Sequence, residues 1–269
     1  MNREADIERI SKVIGGGVKF RGFSQMKLVL FDADGTLVDS QAIIHETMRI
    51  TFLRFGYVEP PVHATRAIIG LTLDRAIATI LGRDIDAEVE AMTHEYKEIY
   101  VELAPREDMQ CLAFDGMPQL VRELASRDDF LLGVVTGKSR RGLNKLFASN
   151  GFDSAFVVSR CADDCPSKPH PAMVLECCRE LGIQSADTIV VGDTSFDMEM
   201  ATAAGATALG VGWGYHPRDK MERSGAAAVV ATVAELRSKI RGWANNRSSI
   251  TLSDKSVLIA ATRLGPNYA

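Results

Sequence analysis

Residues 27–40 read KLVLFDADGTLVDS. A run of large apolar residues, Leu28 to Phe31, stops at two aspartates one residue apart, Asp32 and Asp34, and a Gly-Thr pair follows at once. A short continuous apolar run bounded by turn residues is the pattern of a strand buried on both faces, as in a parallel sheet. Two carboxylates at its end repel each other, and unpaired acids are rarely buried. The strand therefore ends either at a solvated turn or at a place where positive charge sits between the acids.

Similar short β-rich runs recur at 131–136, 155–158, 187–192 and 206–211, and helical periodicity occupies 117–127, 139–148, 170–181, 195–204 and 233–242. Gly151, Gly182 and Gly205 stand just past three of these helices, where a helix stop is expected. Alternating strands and helices predict an α/β fold with a doubly wound, parallel, Rossmann-like sheet, and such sheets bind ligands beyond the carboxyl ends of their strands. From 41 to 110 the alternation gives way to helical patterns alone. One is stopped by Gly56, one by Gly82, one spaces Val89, Met92, Tyr96, Ile99 and Leu103 at intervals of three and four, and VHATRAII makes a fourth. This reads as an inserted α-helical cap. The expected organisation is an extension at 1–25, a core at 26–40 and 111–243, a cap at 41–110 and a tail at 244–269.

Composition narrows the classes of function. The chain has 269 residues, enough for a core and a second small unit, and its net charge of -4 comes without the basic stripe that nucleic-acid binding requires. No segment approaches a membrane span, and the first twenty residues lack the apolar core of a secretory signal. A cytoplasmic protein, monomer or homodimer, is expected. Five cysteines, an odd number that includes the adjacent pair Cys177–Cys178, fit reduced thiols. Cys161 and Cys165 would make half a zinc site, but no second pair has matching spacing.

The strand ends hold the chemistry. The first ends at Asp32-Ala33-Asp34-Gly35-Thr36, the second at Thr136-Gly137-Lys138 and the fourth at Asp193, with Asp197 four residues on; SKPHP, carrying Lys168, precedes a helix. A parallel sheet brings these ends to one edge. Four acids there suit Mg²⁺, a hard cation that takes carboxylates and keeps waters. A hydroxyl, a lysine and turn amides are donors for phosphate oxygens, and a carboxylate beside them can act as nucleophile. Each residue also has an ordinary reading. Asp32 and Asp34 can cap a helix, Thr136 can finish a strand, Lys168 can be solvated, and Asp193 and Asp197 can bracket a helix start. It is their convergence that favours catalysis.

FDADGTLVDS, VVTGKS, SKPHP and GDTSFDMEMA resemble, in order and spacing, the four motifs of the haloacid dehalogenase superfamily. ALGVGWGYH is similar to a loop of its phosphoglycolate phosphatase branch. The resemblance covers roughly 26–243 and implies a small helical cap between the first two motifs. It implies Asp32 as nucleophile and Asp34 as general acid and then base, with the Asp34 carbonyl, Asp32, Asp193 and Asp197 around Mg²⁺. Thr136 and Lys168 would hold the phosphoryl oxygens, Gly35 and Thr36 would shape the turn, and the Gly137 amide would add a donor. The implied function is a Mg²⁺-dependent phosphomonoester hydrolase acting on a small phosphorylated metabolite, phosphoglycolate first. A phosphomutase of the β-phosphoglucomutase kind, a pyrophosphatase and a non-catalytic interaction module are the alternatives. Asp34 speaks against dehalogenation, which by the same resemblance lacks an acid there.

The cap segment IGLTLDR, residues 69–75, is the expected specificity loop. Gly70 permits an unusual turn, Thr72 is placed to cap a helix beginning near Leu73, and the amides there, with Arg75 or Arg66, are candidates for a second anion on the substrate.

Overall fold

The computed structural model describes residues 26–152 and 154–247. The arm at 1–25 and the tail from 248 onward lie outside the described residues. A six-stranded sheet forms the core: β1 (Lys27–Phe31), β4 (Phe130–Val135), β5 (Val158–Arg160), β6 (Thr188–Gly192), β7 (Thr207–Val211) and β8 (Ala228–Val230), in the order β5-β4-β1-β6-β7-β8. Every neighbouring pair is parallel. The chain starts in the middle, builds outward on one side of β1, then returns to build on the other. The direction of winding thus reverses at β1, and a crevice opens beyond the end of that strand.

The apolar run of β1 is explained by its position. All five residues are buried, and alternate side chains serve opposite layers. Val29 and Phe31 pack into one hydrophobic cluster, with Ile189, Val191, Leu132 and Val134 from the adjacent strands. Helices α5 (Met117–Ala125), α6 (Arg140–Asn150) and α10 (Val233–Arg247) cover that face. Leu28 and Leu30 pack into the other cluster, under α7 (Ala172–Leu181), α8 (Ser195–Ala203) and α9 (Arg218–Arg223). The stripe Met117, Leu120, Val121, Leu124 on α5 is fully buried, as a three-four spacing requires.

Between β1 and β4 lie α1 (Gln41–Arg54), α2 (Val62–Arg66), α3 (Leu73–Leu81) and α4 (Ala87–Leu103), packed around Met48, Phe52, Ile77, Val89, Met92 and Tyr96. The chain enters this helical unit through β2 (Val38–Asp39) and leaves it through β3 (Leu112–Ala113), which pair antiparallel and tie the two crossings together. No described helix is long and apolar enough to cross a membrane.

Several elements differ from the sequence pattern. The strand expected at 155–158 runs from Val158 to Arg160 instead. Its apolar lead-in is used for packing: Phe156 stacks on Phe147 and meets Phe31 and Phe152 edge-on. The last helix continues to Arg247, past the expected start of the tail. β8, α9 and the β2–β3 ribbon are too short to leave a periodic signal.

Gly133, in β4, marks a tight point of the sheet's apolar packing. A Cβ there would lie 2.6 Å from Val158 Cγ1 and 2.7 Å from Leu30 Cδ2. Gly133→Ala is expected to lower unfolding stability by roughly 1–3 kcal/mol, the usual cost of overpacking a core. Urea unfolding measures this, and an unchanged midpoint would contradict the packing described here.

Candidate active site

The ends of β1, β4 and β6 converge as the strand order requires. Asp32 continues the ladder one residue past β1, its N–H bonded to the Val191 carbonyl at 2.9 Å, so its backbone is fixed and its side chain fully buried. Gly35 then turns the chain with φ of +83°, and a Cβ there would lie 2.2 Å from Asp193 Oδ2, so only glycine fits. Thr36 Oγ1 donates to Asp193 Oδ1 at 2.9 Å, and the Tyr215 N–H donates to Asp193 Oδ2 at 2.9 Å. The turn after β1 and the loop after β7 thus hold Asp193 between them.

Asp197 stands at the third position of α8 and closes a capping box with Thr194. Its Oδ2 accepts from the Thr194 N–H at 3.1 Å and from Thr194 Oγ1 at 2.7 Å, while its Oδ1 accepts from Lys168 Nζ at 2.6 Å. Lys168 is fully buried, and its Nζ also lies 2.8 Å from Asp32 Oδ1. That contact is a buried ion pair, and Asp32 Oδ2 has no hydrogen-bond partner. Thr136 is buried at the end of β4, and its Oγ1 accepts from the Lys138 N–H at 3.3 Å.

One oxygen each from Asp32, Asp193 and Asp197 lies within 4.8 Å of the other two. Counted as ions, these three carboxylates and Lys168 carry a net charge of -2 (three negative, one positive) in a region closed to solvent. The strain appears in their titration. Burial, reinforced by Asp197 and Asp34 and opposed by Lys168, pushes the Asp32 carboxyl up to about 7. Burial, with Asp32 and Asp197 beside it, holds Asp193 well above the usual carboxylate range. Burial alone would lower Lys168, but Asp197 and Asp32 outweigh it and keep the ammonium protonated. A divalent cation among the three oxygens would cancel the excess charge and lower the Asp32 and Asp193 carboxyls again.

Asp34 stands apart from the trio. Its Oδ1 accepts from Ser40 Oγ at 2.5 Å and lies 3.0 Å from Lys138 Nζ. Lys138 in turn sits 5.6 Å from the ring centre of Tyr100, on the cap helix α4. Asp34 lines the cleft between cap and core, a cavity of about 1180 Å³. One of its oxygens is therefore held by a hinge residue and a core lysine.

The segment 67–72, part of which lines the cleft, rests on four core loops. His216 Nε2 faces the Ala67 carbonyl at 3.2 Å while its Nδ1 accepts from the Ser195 N–H at 3.0 Å, so the ring is neutral with its proton on Nε2. Burial and the nearby Lys220 lower its pKa and favour that form. Gly137 has no room for a side chain, since a Cβ would lie 2.3 Å from the Leu71 carbonyl oxygen. Gly70, with φ of +102°, brings the backbone against Thr194. The Thr72 N–H donates to Ser167 Oγ at 2.9 Å.

The expected role of Thr72 needs correction. It holds the N-cap position of α3, but its hydroxyl donates to Asp74 Oδ1 at 2.6 Å instead of accepting from the helix. Asp74 also takes the Arg75 N–H, and Ser167 takes that of Thr72, so these two amides are already occupied. Arg75 is exposed at the cleft, and Arg66 is exposed without lining it.

Lys138, Ser40, Ser167, Tyr215 and His216 were not singled out as site residues from sequence. Lys138 had a signal, its place directly after Thr136-Gly137. The others are joined to the site by contacts from 6 to 175 residues away in sequence, which no local pattern records.

Two measurements follow from this geometry. Asp32 keeps its proton in the fold at pH values where the unfolded chain, with an ordinary carboxyl, has lost it. The folded state then binds more protons, so this contribution to stability is present at low pH and is lost as pH rises through about 7. In the presence of chelator, the melting temperature should fall more between about pH 5 and about pH 8 for the native chain than for Asp32→Asn. Equal slopes would contradict the charge imbalance. Separately, Ser167→Ala should speed hydrogen exchange at the Thr72 amide and leave exchange in β1 unchanged. No change at Thr72 would show that the segment is not held there.

The haloacid dehalogenase-like hydrolase family model matches residues 29–211. The chain is 35% identical over 213 residues to the probable phosphatase IndB of Dickeya dadantii, covering 78% of this chain and 91% of that protein. It is 30% identical over 218 residues to the N-acetylmuramic acid 6-phosphate phosphatase of Pseudomonas aeruginosa, covering 79% and 93%. It is 28% identical over 218 residues to a phosphoglycolate phosphatase of Yersinia pestis, covering 80% and 93%. In fold it is similar to a haloacid dehalogenase-like hydrolase from Bacteroides fragilis, with a TM-score of 0.72 at 22% identity over 78% of this chain and 99% of that one. With its parallel sheet and its acids at the strand ends, the chain belongs to the haloacid dehalogenase-like hydrolase family and is an enzyme of the phosphatase kind.

Proposed function

We infer that the protein hydrolyses a phosphomonoester of a small metabolite through an aspartyl-phosphate on Asp32, with Mg²⁺ bound by Asp32, Asp193, Asp197 and the Asp34 carbonyl. The observation that carries this reading is Asp32: a buried carboxylate, fixed by its backbone, whose Oδ1 meets only the Lys168 ammonium at 2.8 Å and whose Oδ2 has no partner. A purely structural aspartate at this depth would be satisfied on both oxygens. The metal, when bound, supplies charge neutralisation, so that an anionic nucleophile can meet an anionic substrate.

The chain's own groups divide the remaining work. Asp32 attacks phosphorus in line with the leaving oxygen. Lys168 and the Thr136 hydroxyl hold the transferring oxygens, and the Gly137 amide would add a donor. Asp34 gives a proton to the leaving alcohol, then takes one from the water that cleaves the aspartyl-phosphate. Ser40 and Lys138 on Asp34 Oδ1 fix the orientation of that carboxylate. The segment 67–72 and Tyr100 cover the site and limit stray water.

A phosphorylated acid is the substrate we favour; two relatives are named for phosphoglycolate and N-acetylmuramic acid 6-phosphate, both carboxylates, and this supports the reading. A cytoplasmic monomer or homodimer suits such a role. A mutase reading is not favoured by any particular contact in the site.

Asp32→Asn preserves shape but removes the attacking anion, and should lower turnover of p-nitrophenyl phosphate on the order of a thousandfold or more. Chelator should abolish wild-type activity, Mg²⁺ should restore it, and Ca²⁺ should restore it poorly because it prefers longer and more flexible coordination. Near-native turnover in Asp32→Asn, or full activity in verified metal-free protein, would refute the mechanism.

A further inference from the structure

The cleft is larger than a two-carbon acid needs. Its volume of about 1180 Å³ slightly exceeds the range of pockets that enclose whole drug-sized ligands. In phosphoglycolate the carboxylate is two atoms from the ester oxygen, which keeps it near Lys138, beside Asp34. The cleft has other charged walls, the acids Asp74, Glu90 and Asp163 among them. Arg141 and Lys145 line it from α6, one helical turn apart, about 6 Å along the axis. Lys97 lines it from α4, on the cap. None of the three has a carboxylate within ion-pair distance among the described residues, although the chain as a whole is acidic. The contrast with Arg140 is direct, since that neighbour of Arg141 is bound to Asp164 and Ser159. One turn before Lys97, Thr93 also lines the cleft. Its Oγ1 is shielded from solvent and has no hydrogen-bond partner, which is uncommon for a buried hydroxyl.

The geometry points to a second anion subsite in the cleft, formed by Arg141 and Lys145 from the core and Lys97 from the cap, with Thr93 as a neutral donor. This rests on the phosphatase reading and deepens it. The substrate class is a sugar-sized phosphomonoester whose leaving group carries a second negative group well beyond the reach of a glycolate. Apolar residues on the cap side, Ile44, Met48 and Leu73, suit the body of such a molecule between its two charged ends.

The test compares three ligands of one shape: glucose 1-phosphate, glucuronic acid 1-phosphate and glucose 1,6-bisphosphate. Each is titrated calorimetrically into Asp32→Asn protein in Mg²⁺ buffer, where turnover is prevented. One or both doubly charged ligands should bind about tenfold more tightly than glucose 1-phosphate, and this ratio should shrink to about twofold or less in the added background of Arg141→Ala with Lys145→Ala. Discrimination by the acid alone assigns the subsite to carboxylate, and by the bisphosphate alone to phosphate. Lys97→Gln and Lys145→Gln, made singly, should each reduce the ratio and serve if the double change impairs folding. Equal binding of all three ligands, or a ratio untouched by these substitutions, would overturn the proposal. A preserved ratio in a protein that hydrolyses no phosphomonoester would overturn the phosphatase reading and leave the subsite standing.

Discussion

The site depends on one electrostatic condition: three buried carboxylates around a single buried ammonium. Asp32, Asp193 and Asp197 are held so close that they repel, and Lys168 balances only part of their charge. An arrangement of this kind costs stability, because charges removed from water must be repaid by partners. The surrounding chain is built to hold it. Gly35, Gly192 and Gly214 each give up a side chain so that a carboxylate can lie against backbone, with Asp197 Cγ only 2.3 Å from where a Cβ of Gly192 would stand. Thr36, Tyr215 and Thr194 supply the donors that fix Asp193 and Asp197. The Asp32 carboxylate is left with only the Lys168 ammonium, and it is the residue to which we assign reactivity.

The cap is joined to this centre through neighbours of the reactive residues. Ser167 precedes Lys168, Gly137 follows Thr136, and Thr194 follows Asp193; all three meet the segment 67–72. Tyr215 binds Asp193 with its N–H and receives the Ser40 N–H at its hydroxyl at 3.0 Å. Ser40 begins the cap and also donates to Asp34. The position of the cap and the orientation of the Asp34 carboxylate are thus set by shared contacts.

Much of the core was legible because its signals are local. The unbroken apolar run of β1 reflects burial on both faces, and the aspartates after it break that run at one point. Asp193, Thr136 and Lys168 follow strands or precede a helix in the same way, so the parallel topology alone predicts that they meet. The ordinary reading of Asp197 as a helix-start residue was also right in part, because it closes a capping box with Thr194 while binding Lys168. What could not be read depends on distant pairing or on competition between partners. The Lys138–Asp34 pair joins separate strand ends. His216 reaches a cap carbonyl 149 residues away. Thr72 had the right residue type for a cap, but Asp74, two residues on, is a stronger acceptor for its hydroxyl than a helix amide is a donor to it. The strand near 155 shifted because Phe156 gains more by filling an aromatic cluster than by extending the sheet.

The most direct measurement is to trap the covalent intermediate. Wild-type protein mixed with substrate and Mg²⁺, quenched in acid within the first turnover and digested, should yield the peptide containing Asp32 with one added phosphoryl group. The peptides containing Asp34, Asp193 and Asp197 should remain unmodified. A phosphoryl group on a different residue, or none during demonstrated turnover under conditions that preserve an acyl phosphate, would contradict the assignment of Asp32 as the unsatisfied and reactive member of the buried cluster.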